Sequence, residues 1–126
     1  MACILVVDDI LGVRKSISAG LKRLSFTVLE ANNGVEALEL AKDNHIDLVI
    51  TDMLMPEMDG VDLIDQLRAA PGKTPRILAM SGGGTFVSSQ DALTIAQQNA
   101  DAVLEKPFDT IELCNVVQAL LGKDAA

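Results

Sequence analysis

Five short apolar runs, each followed by a stretch with helical spacing, constrain this chain more than any other feature. The runs occupy residues 3–7, 26–29, 47–51, 76–80 and 102–104. Most are rich in Val, Ile and Leu and do not alternate with polar residues, as expected of strands covered on both faces in a parallel sheet. Val13, Ile17, Leu21 and Leu24 mark the first helical stretch, and Ala37, Leu38 and Ala41 the second. Leu63, Ile64 and Leu67 mark the third, Ala92, Leu93 and Ala96 the fourth, and Leu113, Val116, Val117, Leu120 and Leu121 the fifth. Pro71-Gly72 breaks the chain before the fourth run, Gly82-Gly83-Gly84 follows it, and Gly122 is expected to end the last helix. The pattern is α/β: (βα)5, a doubly wound open parallel five-stranded sheet with helices on both faces.

The chain has 126 residues, one domain of ordinary size that buries a core without disulfides or metal. Its net charge of −8, with no basic stripe, argues against direct nucleic-acid binding. Cys3 and Cys114 sit in apolar runs and form no C-x-x-C, which fits reduced cysteines buried as small hydrophobes. No apolar run approaches the ~18 residues needed to span a bilayer, so no membrane insertion is expected. Met1 leads at once into a strand-like run, leaving no room for a signal peptide. A cytoplasmic protein is expected.

In such sheets, sites form where the C-terminal ends of the strands open into loops. Asp8 and Asp9 follow the first run, Asp52 the third, and Ser81 the fourth; Glu105, Lys106 and Pro107 follow the fifth. Any one of these has an ordinary explanation. Asp8 or Asp9 could cap the first helix, Lys106 could be a solvated lysine, and Ser81 alone says almost nothing. Jointly they place three carboxylates, a hydroxyl and a lysine on one rim. That set suits phosphoryl transfer to a carboxylate. Crowded carboxylates repel unless a cation offsets them, and Mg²⁺ takes oxygen ligands. Asp52 could attack phosphorus while Lys106 and Ser81 contact phosphoryl oxygens.

The segments Val6-Val7-Asp8-Asp9, Asp52-Met53-Leu54-Met55-Pro56-Glu57-Met58-Asp59-Gly60, Met80-Ser81-Gly82 and Leu104-Glu105-Lys106-Pro107-Phe108 resemble a response-regulator receiver domain of the single-domain, chemotaxis-regulator type. The resemblance runs over essentially the whole chain, in order. It implies a flavodoxin-like sheet with strand order 2-1-3-4-5. It also implies a phosphorylation-dependent switch of a two-component phosphorelay, in which Asp52 accepts phosphate from a histidine-kinase phosphohistidine. Asp9 matches the acidic Mg²⁺ ligand, Asp8 its neighbour acting through water, and Leu54 the position whose backbone carbonyl binds the ion, with Asp52 itself completing the implied metal set. Ser81 matches the switch hydroxyl, Lys106 the phosphate-contacting lysine, Pro107 a proline that follows a cis peptide, and Gly60 the glycine opening the third helix. A sensor histidine kinase or histidine phosphotransfer protein and a downstream protein target are the implied partners. The target would bind the surface of the helix after strand four, strand five and the last helix.

The sequence departs from that family at two points. Val103 stands where many receivers carry Phe or Tyr, so signalling is expected to rely on the loop of Gly82-Gly83-Gly84 and the helix after it. Leu54 is apolar at a position that can guard against hydrolytic water. Phe86 is read as folded against the domain, His45 as a turn residue and not a phosphodonor, and Met53, Met55 and Met58 as loop packing.

Other classes fit less well. An aspartyl-phosphate hydrolase needs a second Asp where Leu54 stands. A flavin carrier needs a phosphate loop and ring-stacking aromatics that Ile10-Leu11-Gly12-Val13 does not supply. A phosphorylation-independent binding module would have lost an acidic residue or the lysine. Residues 1–126 are therefore read as a single receiver domain with no output domain, not an enzyme beyond its own phosphorylation and dephosphorylation, the alternative being a fragment of a larger regulator or hybrid kinase.

Overall fold

The computed structural model describes residues 2–53, 60–70, 74–81, 100–106 and 108–125, with the backbone alone at 60, 61, 81 and 123–125. Its strands are β1 (Cys3–Val7), β2 (Thr27–Ala31), β3 (Leu48–Asp52), β4 (Arg76–Ser81) and β5 (Ala102–Glu105). The helices are α1 (Leu11–Arg23), α2 (Gly34–Asp43), α3 (Gly60–Ala69) and α4 (Thr110–Ala125). Ala92, Leu93 and Ala96, expected as a further helix, lie outside the described residues, as do Pro71-Gly72 and the three glycines after Ser81.

All strand pairs are parallel, in the order β2-β1-β3-β4-β5, as the resemblance implied. Successive strand residues face opposite ways, and the apolar runs fill two separate cores accordingly. Leu5, Val7, Val49, Ile77 and Ala79 point to one side, where Leu63, Ile64 and Leu67 of α3 and Ala37 of α2 cover them. Ile4, Val6, Leu48, Ile50, Leu78 and Met80 point to the other, under Ile17 and Leu21 of α1 and Leu113, Val117 and Leu121 of α4. Burial on both faces is why these strands carry no polar alternation.

Several boundaries differ from the sequence reading: β3 spans Leu48–Asp52, β4 runs on to Ser81 and β5 to Glu105, and three further ends are displaced. β2 starts at Thr27, not Phe26, and runs on through Glu30 and Ala31. Glu30 stays in the strand because its side chain meets Arg14 and Lys15 of α1, at 3.1 and 3.2 Å. Leu24 is not part of the helical stripe. It lies just past α1, where its N–H closes the helix onto Leu21, and the chain then turns through Ser25 at φ 70°. Gly122 does not end the last helix, which continues to Ala125.

Cys3 and Cys114 are free and half-buried. Burial and the neighbouring charge of Asp47 raise the pKa of the Cys3 thiol, which suits an inert packing role. His45 is an exposed turn residue beside Asp47. Met53 is buried, whereas Met55, Met58 and Phe86 lie outside the described residues. No described helix is long and apolar enough to cross a membrane.

Candidate functional site

Strand register assembles the site. Val7 of β1 pairs with Thr51 of β3, so the residue after each, Asp8 and Asp52, stands at the same level of the carboxyl edge. Asp52 in turn pairs with Met80, and Met80 with Leu104, two residues before Lys106. The strand order reverses at β1, with β2 on one side and β3 on the other. Connections diverge there and leave a crevice at the carboxyl edge, the usual position for a site in an open α/β sheet.

Asp52 and Ser81 are the last residues of their strands, one step earlier than the sequence suggested, because ladder pairing continues to them. Asp52 therefore has a fixed backbone. The N–H of the next residue, Met53, donates to the Met80 carbonyl at 3.1 Å, and the Thr51 hydroxyl donates to the Asp52 carbonyl at 2.9 Å.

Oxygens of Asp8, Asp9 and Asp52 lie within 4.8 Å of one another. Asp8 and Asp52 are buried and Asp9 is exposed. Asp8 does not cap α1. The cap position is Ile10, without a side-chain bond, and one Asp8 oxygen instead accepts the Ile10 N–H at 2.9 Å, holding the loop before the helix. Lys106 completes the cluster, its Nζ at 3.2 Å from both Asp8 Oδ2 and Asp52 Oδ2. Burial on its own would lower the lysine pKa. The charges of Asp52 and Asp8, and hydrogen bonds to both, outweigh burial and raise it above 10.5. Lys106 is thus a fixed cation throughout the neutral range.

Among the described residues, two buried carboxylates meet one ammonium and leave a negative surplus, to which Asp9 adds. Such a pocket favours a small cation. The donor set is all oxygen and hard, with one carboxylate open to solvent, which suits Mg²⁺ because that ion keeps part of its water shell. The residues present fit the ion.

Of the expected site residues, the structure brings together Asp8, Asp9, Asp52 and Lys106. Ser81 ends β4 beside Glu105 of β5, while its side chain, Leu54 and Pro107 lie outside what is described. Gly60 opens α3. Val103 is half-buried against the α2/α3 core.

Sequence reasoning missed Arg14. Its Nη1 donates to the Asp8 carbonyl at 2.8 Å and to Asn32 Oδ1 at 3.2 Å, and its Nε to Glu30 Oε1 at 3.1 Å. One signal was available. Arg14 and Lys15 stand near the N-terminus of α1, where the helix dipole disfavours cations and the first turn has no acid to offset them. A nearby carboxylate was called for, and Glu30 supplies it.

A family model, the response regulator receiver domain, matches residues 4–118. The transcriptional regulatory protein SrrA of Staphylococcus aureus is 36% identical over 120 residues, covering 95% of this chain and 48% of that protein. The chain thus spans about half the length of the curated relatives it matches. Among solved structures, the chemotaxis response regulator CheY4 of Vibrio cholerae superposes with a TM-score of 0.85 at 29% identity, covering 96% of this chain and 99% of the other. The signal receiver domain of a signal transduction histidine kinase from Syntrophus aciditrophicus gives 0.85 at 27% identity, covering 98% and 92%.

Proposed function

The chain belongs to the response regulator receiver domain family, and on that footing we propose that it is a phosphorylation-dependent switch of a two-component phosphorelay, with residues 1–126 acting as one receiver unit. Asp52 is the acceptor. Its carboxylate oxygen attacks the phosphorus of a phosphohistidine on a sensor kinase or histidine phosphotransfer protein. A P–O bond forms, the P–N bond breaks, and the imidazole leaves with the electron pair. Asp8, Asp9, Asp52 and the Leu54 carbonyl would hold Mg²⁺, which when bound supplies positive charge beside the transferring phosphoryl oxygens.

The single observation that carries this reading is the placement of Lys106, with one ammonium touching both buried aspartates at 3.2 Å. Formation of the acyl phosphate removes the charge from the Asp52 oxygen and brings phosphoryl oxygens into reach of the same ammonium, so Lys106 exchanges a carboxylate partner for a phosphoryl one. The Ser81 hydroxyl contacts another phosphoryl oxygen, and the segment after β4 follows it. The resulting surface change is read by a downstream protein. Self-phosphorylation and dephosphorylation are the only chemistry assigned, in a cytoplasmic setting.

Incubation with Mg²⁺ and a small phosphodonor tests the reading. Intact mass should rise by one phosphoryl group in the wild type and stay unchanged in Asp52→Asn. Equal phosphorylation of both would remove Asp52 from its role.

A further inference from the structure

Two carboxylates of the pocket are aimed by different means. Asp8 is held through its own side chain, one oxygen by the Ile10 N–H at 2.9 Å and the other by Lys106 at 3.2 Å. Asp9 is exposed, and no bond to a described residue holds its carboxylate. Its direction depends on the backbone that carries it. The peptide joining Asp8 to Asp9 is planar, so fixing its carbonyl fixes the position from which Asp9 projects. Arg14 Nη1 donates to that carbonyl at 2.8 Å.

Arg14 is itself anchored. Its side chain is only 13% exposed, its Nε donates to Glu30 of β2, and its Nη1 is shared with Asn32 just beyond that strand. A guanidinium is a rigid planar fork, able to serve several acceptors in fixed geometry. We propose that Arg14 is a positioning residue for the cation site: it aims Asp9 by locking the Asp8–Asp9 peptide to the end of β2. The inference rests on the pocket being a Mg²⁺ site.

Simple electrostatics predicts the opposite effect on metal binding. A guanidinium beside an acidic pocket opposes an incoming cation, so removing it would tighten Mg²⁺. Loss of aim weakens Mg²⁺ instead. Lysine at position 14 separates the two accounts, since it keeps the charge but cannot bridge the Asp8 carbonyl, Glu30 and Asn32 together.

The experiment titrates MgCl2 into wild type, Arg14→Ala and Arg14→Lys by calorimetry, with amide spectra of Asp9 and Ile10 followed in parallel. Partners that orient metal ligands typically contribute about 10-fold or more in affinity. Both variants should bind Mg²⁺ about 10-fold more weakly, with the Asp9 and Ile10 amides displaced before metal is added. Unchanged or tighter binding in a folded variant overturns the inference. If Arg14→Ala does not fold, Arg14→Lys decides alone. Absence of saturable binding in the wild type overturns the metal reading itself and this inference with it, a result distinct from equal binding by all three proteins.

Discussion

Lys106 reaches back across 54 residues of chain to place its Nζ 3.2 Å from a carboxylate oxygen of Asp52. The same nitrogen meets Asp8 at the same distance, so one cation balances part of two buried charges. Removing it takes the shared ammonium away from two buried carboxylates, which is costly in a buried site. Lys106→Met should therefore lower the stability of the metal-free protein by about 2 kcal/mol, less than a fully buried pair because the lysine keeps some water. Mg²⁺ should restore most of that loss. Melting temperatures with and without MgCl2 check this, the expected outcome being a larger Mg²⁺-induced rise in the variant than in the wild type.

Glu30 gives a pH dependence of definite sign. Burial acts first to raise its pKa, but hydrogen bonds and charge from Lys15 and Arg14 prevail and hold it below the ordinary 4.5. A depressed carboxylate contributes stability that is present above the unfolded value and lost as pH falls through the folded one. Glu30→Gln should be less stable than wild type by about 1 kcal/mol at pH 7. That gap should shrink steadily below about pH 4.5. Urea unfolding at pH 7, 5 and 4 measures it, and a gap constant across that range would contradict the assignment.

These two sites show what the sequence could and could not reveal. Asp8, Asp9, Asp52 and Lys106 were legible because each lies within two residues of the end of an apolar run, and a parallel sheet puts all such ends on one edge. The strands were legible because Leu5 and Ile4 must each find a separate core, which removes polar alternation. Glu30 was not, since a charge reads as the end of a strand unless its partner is known. That partner, Arg14, is 16 residues away on another element. Leu24 misled in the opposite sense. Its spacing continues the α1 stripe, yet the helix has already closed and 40% of the residue is exposed.

Gly12 and Gly20 share a helix but answer to different forces. A methyl group at Gly12 meets nothing within 4 Å, whereas at Gly20 it would stand 2.9 Å from Thr110 Cγ2 at the start of α4. Alanine exceeds glycine by about 1 kcal/mol in a helix interior, so Gly12→Ala should stabilise by up to that amount. At Gly20 the same gain is set against overpacking of about 1–3 kcal/mol, and the contact prevails. Gly20→Ala should destabilise by about 1 kcal/mol. Thr110→Ser removes the offending methyl and should bring Gly20→Ala back to neutral or better, a coupling that a double-mutant cycle reads directly.

Ser18 is the clearest place where this fold is less stable than it could be. It lies in α1 between Arg14, which braces the site, and Leu21, which fills the core, and it is buried. Its hydroxyl has no hydrogen-bond partner among the described residues. A buried polar group without a partner forfeits its hydration for nothing, a loss of about 1–3 kcal/mol. Alanine removes the oxygen with little change of volume and is the better helix former. Ser18→Ala should therefore raise stability by about 1 kcal/mol while leaving Mg²⁺ affinity unchanged. Denaturant midpoints and a parallel MgCl2 titration check both halves. A lower midpoint would mean that the hydroxyl is bonded in solution, and weaker Mg²⁺ binding would mean that Ser18 supports Arg14 from below.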